Sequence, residues 1–334
     1  MILLASEALE AFLAEYRGVQ GRSVRATASQ RNHLVATLTM VADVRGTTFD
    51  ELELVNITRE DLVKVLLTYR ERPDQRFVTN PGAAPPERSN ATMGRRISAV
   101  RTFFGWCTLT GRVYVDPAAT ILSPRRVEKS PEALTEIEAR RLLAAASKSS
   151  WPLRDVAIVS LALGCGPRLT EIATAKLGGL EGSTSVTLTI LGKGSKPRRL
   201  HLGTVPSQAM TAWLVERQAF LDAHHLKSDS LFLSSKPRRV TQASGKVTWE
   251  CNFSTEGLAD FFTRVTTAAG LSKPGVRAHV CRHTFATLAL RSRSFDLREL
   301  QAALGHASLA TMSRYLHVSD DDLAKAASQH PLSN

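Results

Sequence analysis

Residues 186–202, VTLTILGKGSKPRRLHL, decide the class of this chain. Two alternating runs with β-branched residues flank a Gly-Lys-Gly turn, the pattern of an antiparallel hairpin. It is the clearest strand signal in the sequence. Downstream, over 205–224, 254–269, 278–291, 296–304 and 308–317, apolar residues recur at three- and four-residue spacing, which predicts helices. Upstream, Leu134-Thr135 opens the helix EIEARRLLAAAS, and an apolar helix is expected from about Arg154 to Leu163, ending at Gly164. Gly166 and Pro167 should then break the chain and let a new helix start just before Arg168. The class predicted for this region is mixed but mostly helical, with a small antiparallel sheet.

The first 120 residues are helical by pattern over 4–17, 23–44, 58–72 and 90–111. Thr58 and Ser89-Asn90 stand where helix caps stand, and Gly111 where a helix can stop. PDQRFVTNPGAAPPERSN (73–90), with four prolines and no periodicity, reads as a long surface loop. SPRRVEKSPEA, opening at Ser123, is short, charged and proline-bearing, as linkers are. The organisation expected is therefore a helical domain over 1–122, a linker over 123–132, a second domain over 133–318 and a C-terminal segment over 319–334. In that last segment Ser319 can cap a helix whose first turn holds Asp320 to Asp322.

A chain of 334 residues is long enough for two cores, and 43% hydrophobic with 22% charged residues excludes a disordered or fibrous class. The net charge of +12 is uneven: residues 1–122 carry +2 and residues 123–334 carry +10. Such an excess favours a polyanion, because each neutralised phosphate releases condensed counterions. Cys107, Cys165, Cys251 and Cys281 form no CxxC pair and read as buried free thiols of a reducing compartment. No stretch approaches the roughly 18 apolar residues of a membrane span, and MILLASEALEAF lacks the basic region of a signal peptide. A cytoplasmic protein is expected.

The polar residues of the second half are the candidates for chemistry. Tyr315 lies in SLATMSRYLHV, on a short helix that Ser308 can cap. A tyrosine usually packs as an amphipathic wedge, and a phenol of pKa about 10 attacks poorly unless cations stabilise the phenolate and its target. RAHVCRHTFATLAL offers cations: His279 and Arg282 fall three apart, on one side of a helix. His283, four after His279, also matches two zinc-binding histidines, but Val280 stands where a hydrolytic zinc motif carries its Glu. Arg168, in GCGPRLTEI, sits at a helix start that already favours an anion, and its planar fork matches two phosphate oxygens. Glu171 can hold that guanidinium or satisfy the helix N-terminus. Lys193 occupies the hairpin tip, as a solvated turn residue or as a general acid carried to a leaving oxygen. His306, in LGHAS, follows a glycine able to end a helix.

These stretches, LRDVAIVSLALGCGPRLTEIATAKL, TILGKGSKPRRLHL, RAHVCRHTFATLAL and LGHASLATMSRYLHV, resemble in content, order and spacing the tyrosine recombinases, the phage integrase and Xer-type enzymes. The resemblance covers about 150–318 specifically. SNATMGRRISAVRTFFGWCTLTGRVYVDPA looks like the last helices of the family's core-DNA-binding domain. The resemblance implies that Tyr315 attacks the scissile phosphate, forming a 3′-phosphotyrosine and releasing a 5′-hydroxyl. Arg168 and Arg282 would clamp the non-bridging oxygens and His306 would add a hydrogen bond. His279 would assist proton removal from the tyrosine, and Lys193 would protonate the leaving oxygen. Glu171 and His283 would support them. Arg95, Arg96, Lys196, Arg198 and Arg199 are candidates for the DNA backbone.

Pro167 stands where the family commonly has an aliphatic residue and Thr170 where Ser is common; neither change removes a functional group. Helical periodicity begins close to Met1, so regulation through distant arm sites is not expected. The expectation is a site-specific recombinase working through a Holliday junction as a homo-tetramer on paired sites in double-stranded DNA, with a possible directionality factor. No metal, nucleotide or other cofactor is expected, because the phosphotyrosine conserves the bond energy. Integration and excision of phage or mobile-element DNA is the expected role. The alternatives are Xer-type dimer resolution and strand relaxation of the type IB topoisomerase kind. A DNA-binding protein without catalysis and a zinc hydrolase are rivals from other classes.

Overall fold

Helix-start residues found in the sequence do the capping in a computed structural model, which describes residues 3–72, 87–125, 133–182, 186–192, 196–241, 247–271 and 278–305. The chain divides into two compact units, Met1–Lys129 and Ser130–Asn334. Its architecture is mostly helical with small antiparallel sheets.

The first unit contains α1 (Ala5–Gly18), α2 (Val24–Arg45), α3 (Arg59–Glu71) and α4 (Asn90–Leu109). Ser23 and Ser89 each accept a backbone N–H at the start of α2 and α4, and Thr58 forms a reciprocal capping box with Asp61 on α3. Each cap satisfies a donor that a helix start otherwise leaves orphaned. Leu9, Phe12, Leu34, Leu38, Leu62, Phe103 and Phe104 are buried in one core, and Phe12 meets Phe103 edge to face at 5.5 Å. Most of the proline-rich loop and of the linker lies outside the described residues.

The second unit begins with α5 (Glu136–Ala146), held by a Thr135–Glu138 capping box, and α6 (Pro152–Cys165). Helix α6 does not stop at Gly164 as expected. It runs one residue further to Cys165 and closes at Gly166, whose φ of +60° suits glycine. Gly164 serves a different purpose: a Cβ there would come within 2.7 Å of Pro206 Cγ, so its absence lets the next long helix approach. The chain continues through α7 (Leu169–Ala173), β1 (Leu180–Glu181), β2 (Thr187–Leu191), β3 (Pro197–His201) and α8 (Thr204–Ala223). The predicted hairpin is present: β2 pairs antiparallel with β3 from Thr187↔His201 to Leu191↔Pro197, and β1 adds a short third strand.

A second, two-stranded sheet follows, β4 (Leu233–Thr241) with β5 (Val247–Asn252), between the stretches 205–224 and 254–269 read as helices, where the sequence marked no strand. Of the side chains along β4 only Leu233 is buried, so no apolar alternation marks the strand. Pro237 is accommodated by an irregular register between Leu233 and Arg238. The remaining described elements are α9 (Thr255–Ala268), α10 (Ala278–Arg291) and α11 (Leu297–Leu304), at the expected places. The core is built on α6, whose Ile158, Val159, Leu161 and Ala162 are buried with Trp213, Phe261, Phe262, Leu188 and Leu200. All four cysteines are buried and free, and burial raises the thiols of Cys107, Cys165 and Cys281 to about 12.

Candidate functional site

The turn at Gly166 brings the chain out of α6 beside α10: a Cβ on Gly166 would lie 2.7 Å from Phe285 Cδ1. Arg168 follows as the extended residue that opens α7. Its own N–H donates to Glu171 Oε2 at 2.6 Å and its Nη1 donates to Glu171 Oε1 at 2.8 Å. The carboxylate at this helix start is therefore the chain's own: Glu171 both holds the guanidinium and takes a backbone N–H of the helix start. Helix α7 has only five residues, and the N–H of Arg168 is already taken by Glu171. The anion-attracting group here is the guanidinium.

Arg282 reaches the same place from α10. Its Nη1 donates to the carbonyl of Gly166 and its Nη2 to that of Leu304, each at 2.7 Å. Arg168 Nη2 donates to the carbonyl of Gly305 at 3.3 Å, and Arg198 Nη1 donates to that of Ala303. Three consecutive carbonyls at the end of α11 thus each receive a different arginine. A helix C-terminus carries about half a negative charge, which suits cations without neutralising three of them. Gly305 adopts φ +63° and turns the chain there, directly before His306.

Glu171 lies beneath this cluster with its side chain 2% exposed. Burial alone pushes its carboxyl upward, but the hydrogen bonds from Arg198 and from the Arg168 N–H and guanidinium outweigh it and hold it below the usual value. On α10, His279 precedes Arg282 by one turn. Its ring has an exposed face, yet the protein behind it lowers its pKa by desolvation and the charges of Arg282 and Arg168 lower it further. A neutral imidazole is the form able to accept a proton. His283 is buried in α10.

Arg168, Arg282, Glu171 and His279 are therefore brought together. Lys193, His306 and Tyr315 lie outside the described residues. Two basic residues occupy positions unlike those expected. Arg96 is buried, stacked 3.4 Å over the Tyr69 ring, and its Nη1 donates to Thr37 Oγ1 at 3.4 Å. Helix α4 turns that position toward the core and leaves Arg95 exposed. Arg198 is also drawn inward, its Nη2 on Glu171 Oε2 at 2.8 Å. Lys196 and Arg199 face solvent, Arg199 beside Glu181 at 3.3 Å. Strand alternation carried a signal for Arg198: it shares a face of β3 with buried Leu200, two residues on, while Arg199 shares the other. Among the described residues no group of three or more His, Cys, Asp or Glu side chains comes together as a metal site would.

Known proteins are similar to this chain. The tyrosine recombinase XerD of Caulobacter vibrioides is 35% identical over 247 residues, 73% of this chain and 76% of that protein. The tyrosine recombinase XerC of Alcanivorax borkumensis is 32% identical over 240 residues, 71% and 72% of the two chains. Among solved structures, the XerH site-specific recombinase on palindromic difH substrate, a post-cleavage complex, aligns over 96% of this chain and 83% of its own. Its TM-score is 0.67 at 24% identity. A lambda integrase tetramer bound to a Holliday junction aligns over 94% and 77% with a TM-score of 0.66 at 17% identity. At those identities the likeness establishes the fold. A profile of the phage integrase family matches residues 132–322, more than half of the chain, and with the two relatives it shows that the chain belongs to the phage integrase family of tyrosine recombinases, enzymes of site-specific DNA recombination that act through a tyrosine nucleophile.

Proposed function

We propose that this recombinase cleaves and rejoins DNA with Tyr315 as nucleophile and with Arg168 and Arg282 as the clamp on the scissile phosphate. The observation that carries the reading is the convergence of three guanidiniums on the last carbonyls of α11, where the chain passes into His306. Attack by the phenolate oxygen forms the Tyr315 O–P bond as the P–O5′ bond breaks. The phenol proton passes toward neutral His279, and Lys193 supplies a proton to the departing 5′ oxygen. Charge builds on the non-bridging oxygens, where preorganised arginines lower the barrier most. His306 adds a hydrogen bond there. The reverse reaction, with a 5′-hydroxyl from a second site, restores the backbone and produces the Holliday junction.

The assembly proposed is a homo-tetramer on two paired sites, supported by the lambda integrase tetramer on a Holliday junction among the fold's neighbours. For the biological role, integration or excision of mobile DNA is one reading, resting on the proline-rich segment at 73–89 and the linker. Dimer resolution is the second, favoured by the names of the XerD and XerC relatives. Incubating the protein with DNA from its own genetic neighbourhood and from the chromosome, then mapping any SDS-resistant adduct, tests both levels. An adduct with wild type and none with Tyr315→Phe is expected, and its position distinguishes a mobile-element junction from a chromosomal resolution site. An adduct with both proteins moves the nucleophile elsewhere.

A further inference from the structure

The geometry points to Arg198 as a positioning residue that locks the β2–β3 hairpin onto the arginine clamp and so fixes the strand ends, Gly192 and Lys196, between which Lys193 stands in the sequence. The inference rests on the cleavage reading above and deepens it. Arg198 is only 13% exposed, on the inward face of β3. Its two terminal nitrogens bridge separate elements, Nη2 to Glu171 on α7 and Nη1 to the Ala303 carbonyl at the end of α11. Its stem lies against the next turn, since a Cβ on Gly305 would be 3.0 Å from Arg198 Cδ. Its Nε is buried without a partner, a cost tolerated where the two outer bonds fix the fork.

Glu171 serves both sides of this arrangement, and its Oε2 also accepts the Arg168 backbone N–H. Oε1 takes Arg168 Nη1 and Oε2 takes Arg198 Nη2, so the clamp and the hairpin hang on one carboxylate. The open end of the hairpin is close by: Gly192 N–H donates to the Lys196 carbonyl at 2.8 Å, and a Cβ on Gly192 would lie 3.9 Å from Glu171 Oε1. A residue serving only to attract DNA backbone would keep its guanidinium in solvent, as Arg199 does on the opposite face. A planar fork can hold two acceptors in fixed directions, which an ammonium on a flexible stem does not reproduce. Since Lys193 stands at the hairpin tip in the sequence, the strut governs the proton delivery that accompanies P–O5′ cleavage.

Single-turnover cleavage by the full chain tests this, using site DNA with either oxygen or sulfur at the bridging 5′ position. A thiol has a pKa of about 8.5 and leaves without being protonated. Arg198→Ala is expected to slow ordinary cleavage roughly 10- to 100-fold, toward the range of a lost general acid. Sulfur should return the variant close to the wild-type rate on the same DNA, with site affinity unchanged. Arg198→Lys should show the same pattern to a smaller degree, and it carries the test should Arg198→Ala fail to fold. Equal slowing on both substrates overturns the proposal, as does weaker DNA binding with an unchanged cleavage rate. An adduct formed by Tyr315→Phe would instead remove the cleavage reading itself, a result distinct from either.

Discussion

Glu171 concentrates the electrostatics of the site into one side chain. Its folded pKa lies below the ordinary 4.5, so its contribution to stability is fully present above that value and is lost as pH falls through the lower folded value. Glu171→Gln is expected to cost about 2–4 kcal/mol at pH 7, near what breaking a buried pair costs, and to flatten the acid side of the stability curve. Thermal melts from pH 7 to pH 3 check both. His279 works in the same direction at higher pH. Its folded pKa lies below the ordinary 6.5, so as pH falls through that lower value the imidazole protonates and loses the acceptor form that its proposed role requires. The single-turnover cleavage rate of wild type should therefore drop on the acid side of neutrality. His279→Asn should be slower at pH 7.5 and lack that limb; a variant keeping the same limb would assign it to another group. Arg168, Arg282 and Glu171 were legible in sequence because each sits in a local pattern whose chemistry can be named. Arg96 was not, since a charge count gives no direction to a side chain, and the inward turn of Arg198 was marked only by strand alternation with buried Leu200.

Elements were legible where one face is apolar and a cap marks the start. Thr58, Ser89 and Thr135 each announced a helix and each caps one. The β4–β5 sheet was invisible for the opposite reason: its charged, proline-bearing first strand buries a single side chain and so carries neither periodicity. The end of α11 is where an element decides the site. Gly305 holds φ +63° against the Arg198 stem, so a side chain there faces both backbone strain and a contact at 3.0 Å. Gly305→Ala is expected to lose about 1–2 kcal/mol of stability and to reduce cleavage more than site binding, because the carbonyls of Ala303, Leu304 and Gly305 organise the three arginines. Gel-shift affinity and single-turnover rates on one DNA separate the two effects. Weaker affinity with an unchanged cleavage rate would mean that the turn acts on binding alone.

For the whole molecule the governing quantity is the +12 charge and its concentration in residues 123–334. DNA affinity should fall linearly on a log–log plot against salt, with a slope of about −0.9 for each phosphate neutralised. The structure divides the basic residues into those able to contribute and those already engaged. Lys196 and Arg95 face solvent, and Arg199 is held only by an exposed pair with Glu181, a kind of contact worth little in water. Each can turn to a phosphate, and replacing any of them with Ala should reduce the salt slope by about one while leaving the melting temperature nearly unchanged. Arg96 should behave in the opposite way, because its guanidinium fills the space over Tyr69 in the first unit's core. Arg96→Ala is expected to cost about 2 kcal/mol through lost packing and cation–π contact, with the salt slope intact. Titrations at several salt concentrations, paired with melts of the same four variants, distinguish the two classes. A changed slope for Arg96→Ala at unchanged stability would mean that this buried arginine reaches DNA after all, and that the charge visible in the composition is not partitioned by burial.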